Sequence, residues 1–140
     1  MEISDVKRRV SDTIERARRA AMEHRVRADE ASREYAEFLE RVAVPLFRQV
    51  ANVLKAESYS FTVFTPEGSV RLMSDRSAEE FIELSLDTSD QPVVMGHSRR
   101  TRGQRIVESE RPVASGPVRD LTEEQVLAFV LKELGPLVER

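Results

Sequence analysis

The stretch "HSRRTRGQR" holds the densest group of side chains in this sequence that could do chemistry, with four arginines around one glycine. The arginines are Arg99, Arg100, Arg102 and Arg105. A guanidinium group is a planar donor that matches phosphate and carboxylate oxygens, so the group is a candidate anion-binding site. The alternative is a solvated turn neutralised by Glu108 or Glu110. No aromatic residue interleaves the arginines, so a base-stacking surface is not indicated.

Alternating segments on both sides of this stretch predict two antiparallel strands joined around Arg102-Gly103. If these two residues form the loop, Arg100 lies opposite Arg105, whereas a three-residue loop places Arg99 opposite Arg105. Either register sets two cations across from each other, which is destabilising unless carboxylates or an anion compensate. In the two-residue register His97 faces Glu108. That pair lacks the nucleophile and the third orienting group of an acid–base site.

Several classes of chemistry have no support in the sequence. The chain contains no cysteine, which excludes disulfides, thiolate nucleophiles and cysteine-ligated metals. It also lacks a His-x-x-x-His pair, an acidic calcium loop and a glycine-rich phosphate loop. We therefore expect a protein without cofactor or metal that is not an enzyme.

Composition sets the broad class. The chain has 140 residues, of which 40% are hydrophobic and 34% are charged, and a net charge of −3, as expected for one domain or a small domain with an appendage. Nearly all the positive charge is arginine, which we attribute to GC-rich, bacterial-like codon usage. No apolar run is long enough for a signal peptide or a bilayer span, so we expect a cytoplasmic protein with no membrane contact.

The N-terminal segment shows a helical pattern from Ser4 onward. Apolar and small residues recur in steps of three and four and form one narrow stripe, while the other positions are almost all charged. The stripe consists of Val6, Val10, Ile14, Ala17, Ala21, His24, Ala28, Ala31, Tyr35, Phe38 and Val42. Pro45 predicts a break near Ala43–Val44, and a second helical piece continues to about Glu57.

The length of this helix predicts self-association. Residues 5–43 would span about 60 Å as a helix, whereas the rest of the chain would fold to about 30 Å across. Half the stripe would lie in water, so a second helix is expected to cover it, with a dimer favoured. The predicted oligomerisation residues are Val10, Ile14, Ala17, Ala21, Ala28, Ala31, Tyr35 and Phe38. The alternative is an isolated charged helix held by its i,i+4 pairs.

His24 is a polar residue within this stripe. In a paired helix it would set the register, and its protonation near pH 6 would tune the pairing.

The remainder of the sequence predicts an antiparallel meander of about five strands followed by a C-terminal helix packed on the sheet. After Ser58 the apolar period changes to two, with Val70 and Leu72, then Ile82, Leu84 and Leu86, on one face. Thr122 and Gln125 form a capping box for the last helix, and Gly135-Pro136 is predicted to end it. The fold class is α+β, with a helical segment over 1–57 and the sheet and C-terminal helix over 58–140.

These patterns favour a non-enzymatic, oligomeric protein-binding module of the scaffold, adaptor or chaperone type that associates through its N-terminal helix. The alternative is nucleic-acid or phosphate-ligand binding by the arginines of residues 99–105. A third option is a small-molecule pocket between the sheet and the last helix. Its lining would be Phe61, Val63, Leu84 and Phe129, which we expect to be core residues instead.

Overall fold

The structure, a computed structural model, describes residues 1–139 and has the predicted α+β architecture. Three helices and five strands make up the fold. In chain order they are α1 (Ile3–Phe38), a π-helical segment (Leu39–Ala43), α2 (Val44–Ala56), β1 (Phe61–Phe64), β2 (Ser69–Ser74), β3 (Phe81–Asp87), β4 (Val93–Arg102), β5 (Arg105–Pro112), a short 3-10 turn (Val118–Asp120) and α3 (Glu123–Val138).

The interruption predicted near Pro45 takes the form of the π-helical segment. The Val44 amide donates to the Leu39 carbonyl, five residues back, and Pro45 lies in the first turn of α2. Proline has no amide hydrogen to donate to the carbonyl four residues before it. A widened turn just upstream lets the helical path continue without that bond, so α1 and α2 follow one another with no intervening loop.

The five strands form one antiparallel sheet in sequence order, β1-β2-β3-β4-β5, as the alternating segments predicted. The helices pack on one face of it, where Val70, Leu72, Ile82 and Leu84 are fully buried. Phe47 from α2 also belongs to this core. The core therefore contains residues from both predicted parts of the chain, 1–57 and 58–140. The division into two domains itself stays a prediction. We call the opposite side of the sheet the open face.

The C-terminal helix begins as predicted but ends later. Thr122 accepts a hydrogen bond from the Gln125 amide at 3.2 Å, and the Gln125 side chain accepts one from the Thr122 amide at 3.0 Å. The predicted end at Gly135-Pro136 is wrong, because the helix continues to Val138. Leu137 is buried beyond the proline. Its packing outweighs the hydrogen bond that Pro136 removes.

Tyr35 joins α1 to the sheet. Its side chain is 5% exposed, and its hydroxyl donates to the carbonyl oxygens of Gly68 at 3.0 Å and Leu84 at 3.3 Å. Burial, with a smaller contribution from the charge of Glu83, raises the pKa of this hydroxyl well above its ordinary value. The group therefore stays protonated and can donate across the neutral and alkaline range, which fixes where α1 leaves the sheet.

Gly96 on β4 allows α3 to approach the sheet. A Cβ atom at this position would lie 2.0 Å from Cζ of Phe129, far inside contact distance. We predict that Gly96→Ala lowers the free energy of unfolding by about 1–3 kcal/mol, since the buried ring must shift to admit the methyl group. Chemical denaturation of the parent and the variant, at one protein concentration, measures this.

The matched control is Gly135→Ala in α3, where the added methyl group meets no atom within 4 Å. This change should raise stability by about 0.5–1 kcal/mol, because alanine is the better helix former. Equal denaturation midpoints for Gly96→Ala and the parent would contradict the close packing of Phe129 on β4.

Candidate functional site

The arginine hairpin turns one residue later than either predicted register. Arg102 pairs with Arg105, so the two loop residues are Gly103 and Gln104. Gly103, the first loop residue, has a φ of +65°, whereas Gln104, the second, is not among the described residues with a positive φ. A positive φ at the first loop position alone is typical of a type II′ turn, in which glycine takes that position. The predicted pairings of Arg105 with Arg100 or Arg99 are therefore wrong.

The four arginines do not converge on one site, because successive side chains of a strand point to opposite faces. Arg99 lies on the open face, where its Nη1 is 2.8 Å from Glu79 and its Nη2 contacts Glu108, the residue directly across on β5. The hydrogen bonds that Arg99 donates to Glu79 and, next in size of effect, to Glu108 raise the pKa of Arg99 above its ordinary value. Arg99 is thus neutralised as the solvated-turn alternative expected.

Arg100, Arg102 and Arg105 lie on the other side of the hairpin, the side that faces α3. Ser98, two residues before Arg100, marks this side because its hydroxyl donates to Glu133 of α3 at 2.9 Å. Within residues 1–139 none of the three arginines forms an ion pair with a carboxylate. Three cations at the hairpin tip are therefore free to meet an anion.

A recess of about 310 Å³ lies between this side of the hairpin and α3. The lining includes four cationic residues, Arg99, Arg100, Arg111 and Lys132, and two carboxylates, Glu108 and Glu133. Arg111 is held by Glu133 at 2.5 Å and lies over the Phe129 ring, 5.1 Å from its centroid. Two acidic groups among four basic ones leave the recess net positive. Lys132 lies 27 residues after Arg105 in the sequence, and no sequence pattern indicated that it would lie beside the hairpin.

The open face of the sheet holds a second group of functional residue types. Phe81 is only 3% exposed although it lies outside the helix-covered core. The guanidinium groups of Arg71 and Arg99 cover its ring at 4.1 and 5.4 Å from the centroid, and the His97 ring meets it edge-on at 5.2 Å. Arg71 is in turn held by Glu83, its cross-strand neighbour, at 2.7 Å.

Sequence reasoning missed this cluster around Phe81. The alternation of β3 assigned Ile82, Leu84 and Leu86 to the core and left Phe81 unassigned. The ring is covered by residues of β2 and β4 that become its neighbours only through the strand register. Once that register is known, a signal becomes visible. A basic, an acidic and an imidazole side chain lie side by side on three neighbouring strands, namely Arg71, Glu83 and His97.

The two histidines lie in separate surroundings. His97 is directly opposite Glu110 rather than the predicted Glu108, and its Nε2 is 3.9 Å from Oε1 of Glu108 on the diagonal. Its ring packs on Phe81, so it serves as a cross-strand contact. His24 lies on the α1 stripe and is partly exposed. Among the described residues, no group of three or more His, Asp or Glu side chains could hold a metal ion.

The sheet and the helices packed on it, which we call the body, cover the stripe on α1 only at its C-terminal end. Ala31, Tyr35 and Phe38 are buried in the core of the same chain. Upstream, the branched residues Val10 and Ile14 are 52% and 45% exposed. The free part, residues 3–28, spans about 40 Å. The pairing role of the predicted oligomerisation residues stays a prediction, and the residues with surface available for it are those up to Ala28.

A recess of about 510 Å³ lies where α1 leaves the body. We call it the root recess. Its walls combine apolar residues with charged ones, among them Ala31, Val93, Val118, Glu30 and Glu34. The Arg119 amide donates to Glu34 at 3.1 Å, which ties the turn before α3 to α1. By contrast, the pocket considered between the sheet and α3 is filled by its own lining, with Phe61, Leu84 and Phe129 buried as core residues.

Comparison with known proteins gives no family for this chain. A scan against protein-family models and searches of curated proteins and of solved structures each found no match. Within residues 1–139, no helix is both long and apolar enough to cross a bilayer.

Proposed function

We propose that this protein is a non-enzymatic, cytoplasmic, homo-oligomeric protein-binding module of the scaffold, adaptor or chaperone type, which forms a dimer through the free part of α1. The observation that carries the proposal is the apolar stripe on a projecting helix. Val10 and Ile14 lie in water on that stripe although its continuation is buried in the core. Branched apolar residues at helical spacing on one side favour pairing with another helix.

The charge pattern of α1 supports a protein partner rather than a nucleic acid. Basic and acidic side chains are nearly equal in number over residues 1–57, and some pair along the helix, as Arg19 does with Glu15 at 3.1 Å. A nucleic-acid-binding helix shows a one-sided surplus of positive charge. The exposed ion pairs contribute only about 0.3–0.5 kcal/mol each, so they stabilise the free helix weakly in the absence of a partner.

The open face is the surface that each copy of the dimer would present to a further protein. It carries partly exposed arginine and methionine residues close together, namely Arg71, Met73, Met95 and Arg99. These residue types are enriched at protein interfaces. Because the sheet is covered by helices on its other side only, a partner could reach this face without displacing any element.

The test of self-association introduces two glutamates into the stripe. Light scattering on a sizing column should give the parent chain twice its 16.0 kDa mass. Ile14→Glu with Ala21→Glu should weaken the dimer about 100-fold or more, because an uncompensated buried charge costs several kcal/mol. The variant would then run as a monomer at micromolar concentration.

Two exposed apolar residues off the stripe provide the matched control, Met22→Glu with Val26→Glu. Val26 is about 140° around the helix from Ala21, so this pair changes charge and hydrophobicity equally but leaves the stripe intact. The control should keep the parent mass. A parent chain with the mass of one copy, or equal masses for all three proteins, would rule out pairing through the stripe.

A second candidate function is binding of a phosphate-bearing ligand at the hairpin, and the unpaired side chains of Arg100, Arg102 and Arg105 favour it. Its test uses a short double-stranded DNA as the polyanion probe at low salt. Binding should weaken steeply as salt rises, with each phosphate contact adding about 0.9 to the slope of log affinity against log salt. Alanine at all three positions should reduce affinity about tenfold or more.

Arg99→Ala is the control for this second candidate, because Arg99 lies on the opposite face and is neutralised by Glu79 and Glu108. It should bind the DNA as the parent does. Absence of binding by the parent at low salt, or an equal loss in the Arg99 variant, would remove the arginines of the hairpin tip as an anion site.

A further inference from the structure

The body of the protein lies on the same side of α1 as the free stripe, and this restricts how two copies can pair. A seven-residue repeat drifts by about 20° per heptad on a straight helix, so Val10 and Ala31, three heptads apart, differ by about 60°. Two parallel helices joined along the stripe would share a two-fold axis along their seam. Each body would begin at Ala31 on that seam. The two bodies would therefore need the same space around the axis, at the same height along it, and would clash. Antiparallel helices place the bodies at opposite ends.

The sizes of the stripe residues also favour an antiparallel pair. Along the line that would face a second helix, the first half of the free helix carries the branched residues Ile3, Val10 and Ile14, with Val6 of the stripe beside them. The second half carries Ala17, Ala21 and Ala28. A parallel pair would set branched against branched and alanine against alanine, which requires two different helix separations. An antiparallel pair sets Ile3, Val10 and Ile14 each against an alanine, so a single separation suits the full length.

The two polar positions of the seam point to one antiparallel register. Continued toward the N-terminus, the seven-residue repeat of Ile14, Ala21 and Ala28 reaches Lys7, which lies between Ile3 and Val10 and beside Val6 of the stripe. His24 occupies the position between Ala21 and Ala28. Parallel helices would place Lys7 against Lys7 and His24 against His24, two pairs of like groups. The antiparallel register centred between residues 15 and 16 places Lys7 beside His24 of the second copy. There a neutral imidazole can accept from the ammonium group, and neither polar group faces an apolar residue.

The charges of the two halves agree with this arrangement. Residues 2–15 contain three basic and four acidic side chains, whereas residues 16–30 contain five basic and three acidic ones. An antiparallel pair brings the net negative half of each helix alongside the net positive half of the other. A parallel pair brings like halves together, which is unfavourable.

Resting on the proposed dimer, we infer that a second copy of this chain binds the free stripe in antiparallel orientation with this one register. The facing pairs, each made twice, are Ile3 with Ala28, Lys7 with His24, Val10 with Ala21 and Ile14 with Ala17. Ile3, which is 84% exposed in the single chain, then lies beside Ala28 at the edge of the root recess. The apolar part of that recess, with Pro92, Val93 and Pro117, covers the N-terminal turn of the second copy.

Disulfide trapping tests the orientation cleanly, because the chain has no cysteine of its own. The variants Val10→Cys and Ala21→Cys are oxidised separately and as an equimolar mixture after subunit exchange. In the inferred register Val10 faces Ala21, and two copies of Val10 are about 16 Å apart along the axis, beyond the reach of a disulfide. The mixture should therefore yield a cross-linked dimer, and neither variant alone should do so.

The outcomes separate this inference from the proposed function. Light scattering of each reduced variant must first give the parent mass. Cross-linking of each variant with itself would show a parallel pair and overturn the inference while leaving self-association intact. A dimeric mass with no cross-link in any sample would overturn the register and the stripe interface together. A monomeric parent would overturn the proposed function, and with it the inference.

Discussion

The structure depends on one constraint: α1 is longer than the body that covers its apolar stripe. The stripe runs along one side of the helix, yet the sheet and the other helices reach only its C-terminal end, from Ala31 onward. Tyr35 sets this boundary, because its hydroxyl is bonded to the backbone of Gly68 and Leu84. The helix therefore cannot slide to bury Val10 or Ile14 against the sheet without losing those bonds and the packing of Phe38. Residues upstream of Ala28 must either stay in water or meet another molecule.

The sheet places a different constraint on the arginines. Successive side chains of a strand point to opposite faces, so neighbouring arginines are separated. Arg99 joins a set of cross-strand ion pairs and stacked rings on the open face, where each cation has a carboxylate neighbour. Within residues 1–139, Arg100, Arg102 and Arg105 have no carboxylate partner at the hairpin tip, whereas Arg111, near the other end of β5, is held by Glu133. The arginines of the densest basic stretch thus belong to two surfaces that differ in their charge balance.

Sequence reasoning succeeded where short-range periodicity determines the structure. The long helix, the order of the strands and the Thr122 capping box all follow from residues within a few positions of each other. It failed where a distant contact decides between local alternatives. The hairpin register depended on whether Gly103 takes the first or the second loop position, which the sequence "TRGQ" allows equally. The end of α3 at Gly135 was overridden by the burial of Leu137. The cover over Phe81 comes from Arg71 and Arg99, which belong to two other strands.

Amide hydrogen exchange over residues 10–28 of the unmodified chain, at two protein concentrations, tests most directly whether a partner covers the stripe. A helix held only by exposed ion pairs is marginally stable in water, so its amides exchange through local opening that does not depend on concentration. Pairing with a second copy predicts strong protection of these amides that increases with protein concentration, because dissociation must precede opening. Weak protection that is the same at both concentrations would show that the projecting part of α1 has no partner of its own kind.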